Sequence, residues 1–396
     1  MMMRSFIIIL SLCVSVTLAE PKLKFVQAIW RHGARAPGSL PYPNDKNGED
    51  KWTRGWNQLT NDGMRQLKDL GQFFRHRYAG HFLNRTYNIA VLSSDKERAL
   101  VSAQSMLYGL FPPASHERFE EHLPWHPIPV HSNGYGAEDP VIDWSILINR
   151  SFQLLKPTKF ACPRFDEKVK KVREKFSTQL FSKYSDFFDY LKKVTGYQQI
   201  GLDELKTLSE IGKEIEQSLP QPDWVHKKWP KYQNKTTVEL ITALALEERL
   251  TRLSKQELSR LRGGFLLGDW LKRAEKVVKR KQKKPRKMLL YSSHDGTLQS
   301  FLHVLGVADG IQIPYAGCVI MEIYDDQTLL FRHGHKLSPL KVKGCGEKCK
   351  VEKLVSVLEE RAIFSLKKLH KECGREFCSE PKPVEVKKQK KKWIFF

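Results

Sequence analysis

Three short apolar runs constrain this chain more than any other feature. Phe25–Trp30, Tyr87–Leu92 and Lys287–Ser292 each lead directly into a polar loop. Their length and composition predict buried strands rather than helices. Helical patterns lie between and after them. Thr60–Tyr78 reads as a helix, with Thr60 or Asn61 as its cap and Met64, Leu67, Leu70 and Phe74 on one face. Thr297–Leu305 reads as another, and Cys318–Tyr324 is a fourth run of strand character. The outer parts of the chain therefore predict an α/β fold, in which functional loops gather at the carboxyl ends of strands.

The middle has a different texture. Pro112–Pro129 is rich in proline and irregular, and from about Asp166 to Glu275 the pattern is mostly helical with charged faces. A helical insertion between two halves of an α/β domain fits this arrangement. The expected division is a signal peptide at 1–19, an α/β part at 20–110, a helical insertion at 111–265, a second α/β part at 266–380 and a basic tail at 381–396. The start supports the first assignment. Arg4 precedes the apolar stretch Phe6–Leu18, and Ala19 offers a small residue for cleavage, which predicts a secreted or lysosomal-type protein. Asn84, Asn149 and Asn234 head N-x-Ser/Thr sequons and are candidate glycan sites in that setting.

The loop after the first run is Arg31-His32-Gly33-Ala34-Arg35-Ala36-Pro37. A strand thus delivers a histidine between two arginines. Guanidinium groups bind phosphate through paired hydrogen bonds, and an imidazole nitrogen can attack phosphorus. Phosphoryl transfer needs more than this: further charge on the equatorial oxygens, and an acid to protonate the leaving oxygen. Arg98, in the loop Ser93–Arg98 after the second run, is the candidate third arginine. His294 and Asp295 follow the third run, where His294 can hold a phosphate oxygen and Asp295 can donate the proton. A His-Asp pair at that position also reads as a simple helix cap. Arg332-His333-Gly334 repeats the triplet without the second arginine or the proline, and reads as a strand end.

The formal charge is +23. Lys272–Lys287 and Lys387–Lys392 hold much of it. Such runs are commonly solvated faces or loose ends, and their sharper reading is attraction to polyanions or to an acidic membrane surface. No stretch after the signal is long and apolar enough to span a bilayer.

Together these blocks resemble the histidine acid phosphatases, a branch of the histidine phosphatase superfamily. The resemblance runs from about Lys24 to Cys373. Besides the first motif and the His-Asp block, it includes Gln58-Leu59-Thr60 with Gly63-Met64, Ser94-Asp95 with Arg98 and Ser102-Ala103, Phe111-Pro112-Pro113, Trp125 through His131, Cys162-Pro163-Arg164-Phe165, and Pro314-Tyr315-Ala316 with Cys318. It implies a mainly parallel central sheet flanked by helices, with a smaller, mostly helical inserted domain, as in phosphoglycerate mutase-like folds. It implies an acid phosphatase of broad specificity that hydrolyses small phosphate monoesters without cofactor or metal, with no nucleic acid as partner. His32 would be the nucleophile forming a phosphohistidine. Arg31, Arg35, Arg98 and His294 would bind the phosphate, and Asp295 would be the proton donor. A homodimer is implied through the segment holding Trp125 and His131. Two alternatives stand beside this reading: a phytase or inositol polyphosphate phosphatase, and a secreted polyanion-binding protein on the same fold.

The chain departs from its relatives at Gly296, where threonine is frequent, and in its cysteines. Six cysteines remain once Cys13 leaves with the signal. Cys345 and Cys349 have a spacing compatible with a zinc site or, more simply, a local disulfide. The resemblance supports the pairs Cys162–Cys373 and Cys345–Cys349. Cys318 lacks its family partner, leaving it free or paired with Cys378.

Overall fold

A computed structural model of the chain describes residues 20–80, 82–83, 86–132, 155–157, 160–333 and 338–376. The expected signal peptide, the sequons at Asn84 and Asn149, Cys378 and the basic tail lie outside the described residues.

The apolar runs form the centre of one sheet. Strand β1 spans Leu23–Arg31, β2 Ile89–Ser93 and β5 Met288–Ser293. These three lie side by side in the order β2-β5-β1 and are parallel. Beyond β1 the sheet turns antiparallel, through β6 (Cys318–Tyr324) and β7 (Thr328–His333), with β8 (Ser338–Pro339) and β9 (Lys348–Lys350) both on β7. The sheet is therefore mixed, and its parallel half carries the loops singled out above. The second Arg-His-Gly triplet begins at the end of β7, as a strand end.

Side chains alternate across β1, so one strand serves two cores. Val26, Ala28 and Trp30 face α1 (Asn61–Tyr78) and α2 (Glu97–Leu110), packing with Leu67, Leu70, Phe74 and Met106. Thr60 caps α1 by accepting a hydrogen bond from the Gly63 amide at 3.1 Å. Phe25 and Ile29 face the other way, toward α9 (Gln256–Val278) and α10 (Asp295–Leu305), with Trp270 and Phe301.

A third cluster is helical. It draws on α3 (Pro163–Lys183), α4 (Ser185–Thr195), α5 (Leu202–Leu208), α6 (Ile211–Glu216), the short α7 (Asp223–His226) and α8 (Thr237–Thr251), with a two-residue pairing of β3 (Lys228–Trp229) and β4 (Lys235–Thr236). Phe187, Leu191, Leu205, Ile211 and Ile241 are fully buried there. Tyr42, from the loop that follows the first motif, inserts into the same cluster and ties it to β1. The expected boundary at 265/266 falls inside α9. That helix is continuous, and Leu258, Leu261, Phe265, Trp270 and Ala274 all join the core beside the sheet. α9 packs mainly on α10 and also meets α3 of the insertion, where Arg262 pairs with Asp166.

The remaining helices, α11 (Val351–Leu358) and α12 (Leu366–Glu372), close the sheet-side core. Cys162 is bonded to Cys373, joining the start of α3 to the end of α12. Cys345 is bonded to Cys349. Cys318 is a buried free thiol at the start of β6. Among the described residues, no helix is long and apolar enough to cross a membrane. The basic run Lys272–Lys287 divides between environments. Lys272 donates to the Phe364 carbonyl and Arg273 pairs with Asp269, whereas Lys276, Lys279 and most residues from Arg280 to Arg286 are exposed. This loop feeds the start of β5, at the opposite end of the strand from His294.

A disulfide across so long a loop constrains the unfolded chain strongly. Cys162→Ser with Cys373→Ser should therefore lower stability by about 2–5 kcal/mol, read as a lower urea midpoint. An unchanged midpoint would show that α3 and α12 are held without it.

Candidate active site

Strand pairing builds the site. Arg31 pairs with Ser293 in the parallel β1–β5 ladder, and the His32 amide donates to the Ser293 carbonyl at 3.0 Å. The Ser94 amide does the same to the Ser292 carbonyl at 3.1 Å. The carboxyl ends of three strands thus bring His32, Ser94 and His294 together. The loop after His32 is fastened to the start of α1. Thr60 donates its amide to the Ala34 carbonyl, Ala36 donates to Gln58, and the Ala34 amide donates to the Gln66 side chain. Gly33 is required by this approach: a Cβ there would lie 2.2 Å from the Gly63 carbonyl oxygen. Ser102 accepts from the Gly33 amide at 3.2 Å and donates to the Arg98 carbonyl at 2.6 Å, coupling the loop to α2.

His32 is 3% exposed. Its Nδ1 lies 2.8 Å from the Gly33 carbonyl oxygen. A carbonyl only accepts, so Nδ1 carries the hydrogen and, in the neutral ring, Nε2 presents the lone pair. Burial and the charges of Arg31, His294 and Arg98 hold the His32 pKa well below the ordinary imidazole value, so the ring stays neutral in acid. His294 sits 5.5 Å from it, ring centre to ring centre, with Nε2 2.7 Å from the Ser94 hydroxyl. Burial, Arg98 and Lys156 lower the His294 pKa as well.

The arginines converge from three elements. Arg31 is fixed through the Ile313 carbonyl and lies over the Tyr315 ring at 4.0 Å. Its Nε, like that of Arg98 in the first turn of α2, is buried without a protein partner. Burial and Arg35 lower the Arg98 pKa to about 10, so it remains charged at any physiological pH. Arg35 reaches across to Glu210 of the insertion at 3.2 Å, and Glu210 also holds Lys213. Unpartnered guanidinium nitrogens beside a neutral imidazole make a site suited to an anion.

Asp295 opens α10, with Oδ1 accepting from the Gly296 amide at 2.8 Å. Its Oδ2 pairs with Arg249 in the last turn of α8. Burial disfavours the carboxylate's charge, but Arg249, Arg31 and His32 outweigh it and hold Asp295 well below the usual carboxylate range.

His32, Arg31, Arg35, Arg98, His294 and Asp295 all line one cleft of about 1430 Å³ between the sheet and the helical cluster. The structure thus brings together every catalytic and phosphate-binding candidate read from the sequence. It adds Arg249, Glu210 and Lys213, which that reading did not single out. Arg249 and Lys213 come from helices, and Glu210 from the turn between α5 and α6, whose local pattern is that of charged surface, and they carry no motif of their own. Asn234, the one described sequon, is exposed in a turn. Trp125 is 38% exposed beside Phe119, and His131 lies against β2, where it exchanges backbone hydrogen bonds with Val91 and Ser93.

Curated relatives share this chain at length. Lysosomal acid phosphatase of Bos taurus is 33% identical over 350 residues, covering 85% of this chain and 77% of its own. Prostatic acid phosphatase of Rattus norvegicus is 31% identical over 373 residues, covering 89% and 90%. Solved phytase structures share the fold. Hafnia alvei phytase in complex with tartrate has a TM-score of 0.63 at 14% identity, covering 87% of this chain and 98% of its own. Klebsiella sp ASR1 phytase has 0.60 at 17%, covering 86% and 95%. Residues 22–336 match the family model of the histidine phosphatase superfamily (branch 2), and with these relatives that match establishes the chain as a member of that superfamily.

Proposed function

We propose that this protein is an acid phosphatase that hydrolyses phosphate monoesters through a phosphohistidine at His32. The observation that carries the reading is a buried, neutral imidazole with its Nε2 lone pair free, set among arginines with unpartnered nitrogens. The acid phosphatase relatives, at over 30% identity, support this substrate class over the phytases, whose likeness is one of fold.

Arg31, Arg35 and Arg98 hold the equatorial oxygens, and His294 donates to one of them. His32 Nε2 attacks phosphorus; the N–P bond forms as the ester P–O bond breaks. The electron pair leaves on the ester oxygen, which takes a proton from the carboxyl of Asp295. The Gly33 carbonyl, already bound to Nδ1–H, steadies the positive charge that develops on the ring. Water then attacks the phosphohistidine and gives its proton to the Asp295 carboxylate, releasing phosphate and neutral His32.

The N-terminal apolar stretch and the lysosomal relative support a place in the secretory pathway. The α/β layer works as the catalytic body and the helical insertion as its cap. The protein assembles as a homodimer through the segment holding Trp125 and His131, which runs along the β2 edge with Trp125 exposed. The exposed cations between Lys276 and Arg286 are the surface for any polyanion or acidic membrane, and their position leaves the cleft open.

His32→Ala should lower turnover of p-nitrophenyl phosphate more than about a thousandfold. Asp295→Ala should lower hydrolysis of an alkyl phosphate by about 10²–10⁴-fold, and that of p-nitrophenyl phosphate much less, because nitrophenolate leaves unprotonated. Full activity of the first variant, or equal losses in the second, would sink the assignments. The pH profile follows from the same groups. His32, with its lowered pKa, keeps its lone pair on the acid side of the ordinary imidazole range, whereas the proton on Asp295 is lost as pH rises. The optimum of kcat/KM should lie below neutrality, and a maximum above about pH 8 contradicts the mechanism.

A further inference from the structure

Asp295 must carry a proton when the ester oxygen leaves, yet in this structure it is ion-paired. Its partner, Arg249, is contributed by the helical insertion, two residues from the end of α8. Three other acids in the cleft already have their cations, while Glu216 on the same wall forms no ion pair among the described residues. Glu248 is held by Arg173 at 2.8 Å and Arg252 at 2.7 Å, Glu210 by Arg35 and Lys213, and Asp166 by Arg262 at 3.0 Å. Among the described residues, Asp295 is the one acid that forms an ion pair with Arg249. Arg249 also remains accessible, with its side chain 34% exposed to the cleft. Lys170, Lys206 and Arg252 line the same cleft, and that cleft is far larger than one phosphate needs.

We propose that Arg249 is a specificity-determining residue: it occupies Asp295 in the resting site, and a second anionic group on the leaving-group side of the substrate draws it away, freeing Asp295 to act as the acid. This rests on the phosphohydrolase reading above and names its preferred substrates as phosphate monoesters that carry a second phosphate or carboxylate.

The charges around Asp295 support the exchange. Arg249 faces it from α8, Arg31 and His32 from the end of β1, Arg98 from α2, and His294 precedes it in the chain. Arg31 and Arg98 turn to the scissile phosphate when substrate binds, which leaves Arg249 as the cation that keeps Asp295 ionised. When a second anion takes Arg249, Asp295 loses that cation and stands between two negative groups. Its carboxylate then binds a proton from solvent. That proton goes to the ester oxygen as the P–O bond breaks, and Asp295 regains one from the attacking water in the second step. A plain alkyl phosphate offers nothing to Arg249, so Asp295 protonates its leaving oxygen only in the minor fraction of complexes in which the Arg249 pair has opened.

The test compares propyl phosphate, 1,3-propanediol bisphosphate and p-nitrophenyl phosphate on the unmutated protein, Arg249→Gln and Arg249→Lys. The unmutated protein should show kcat on the bisphosphate about tenfold above that on propyl phosphate. In Arg249→Gln the propyl to p-nitrophenyl turnover ratio should rise, the bisphosphate advantage should vanish, and the alkaline limb for propyl phosphate should move to higher pH, because Asp295 keeps its proton longer. Arg249→Lys should retain the advantage. A bisphosphate advantage that survives in Arg249→Gln, or that is missing from the unmutated protein, overturns the proposal while leaving the phosphatase reading intact. Failure of the unmutated protein to hydrolyse p-nitrophenyl phosphate overturns both. The substrate comparison on the unmutated protein decides the matter even if Arg249→Gln does not fold.

Discussion

The parallel pairing of β1 with β5 is the contact on which the site depends. Arg31 opposite Ser293, and the His32 amide on the Ser293 carbonyl, set the base of the nucleophile beside the His-Asp loop. These two segments lie far apart in the sequence, and only a ladder buried on both faces fixes their register so firmly. Trp30 and Ile29 lock β1 between two helical layers, so the loop after it starts from a rigid point. From there Gly33 allows the chain to press against α1, and the ring of His32 is turned by its own neighbour's carbonyl.

Electrostatics follows from that placement. A buried imidazole among guanidinium groups resists a proton, which makes it a usable nucleophile in acid. The same cations hold Asp295 ionised, which suits the second step and opposes the first. The helical insertion supplies the counterweights: Glu210 steadies Arg35, and Arg249 answers Asp295. The insertion therefore helps set the charge state of the residues on the sheet, besides forming the opposite wall of the cleft.

Much of this was legible in the sequence, and the reason is local chemistry. Phe25–Trp30 announces a buried strand, Thr60 a helix cap, and Arg31 through Pro37 an anion loop, each from neighbours in the chain. The antiparallel half of the sheet was less legible, since Thr328–His333 is short and its pairing with β6 depends on a turn rather than on composition. The boundary expected at 265/266 falls inside α9, which has charged residues at both ends but is buried along its middle, where Gly263 and Gly268 let neighbouring backbone approach. Arg249 was not legible at all. Glu-Glu-Arg-Leu-Thr-Arg reads as a solvated helix face, and nothing nearby in sequence signals that one of its arginines meets a carboxylate from another layer.

The central claim is that His32 carries the phosphoryl group, and trapping it is the most direct test. The protein would be mixed briefly with a phosphate monoester labelled with ³²P, quenched in alkali, where a phosphorus–nitrogen bond survives, and digested. The account predicts label on the peptide holding Arg31-His32-Gly33, lost on acid treatment and absent from His32→Ala. Label on another residue, or turnover with no labelled protein at any quench time, would contradict it.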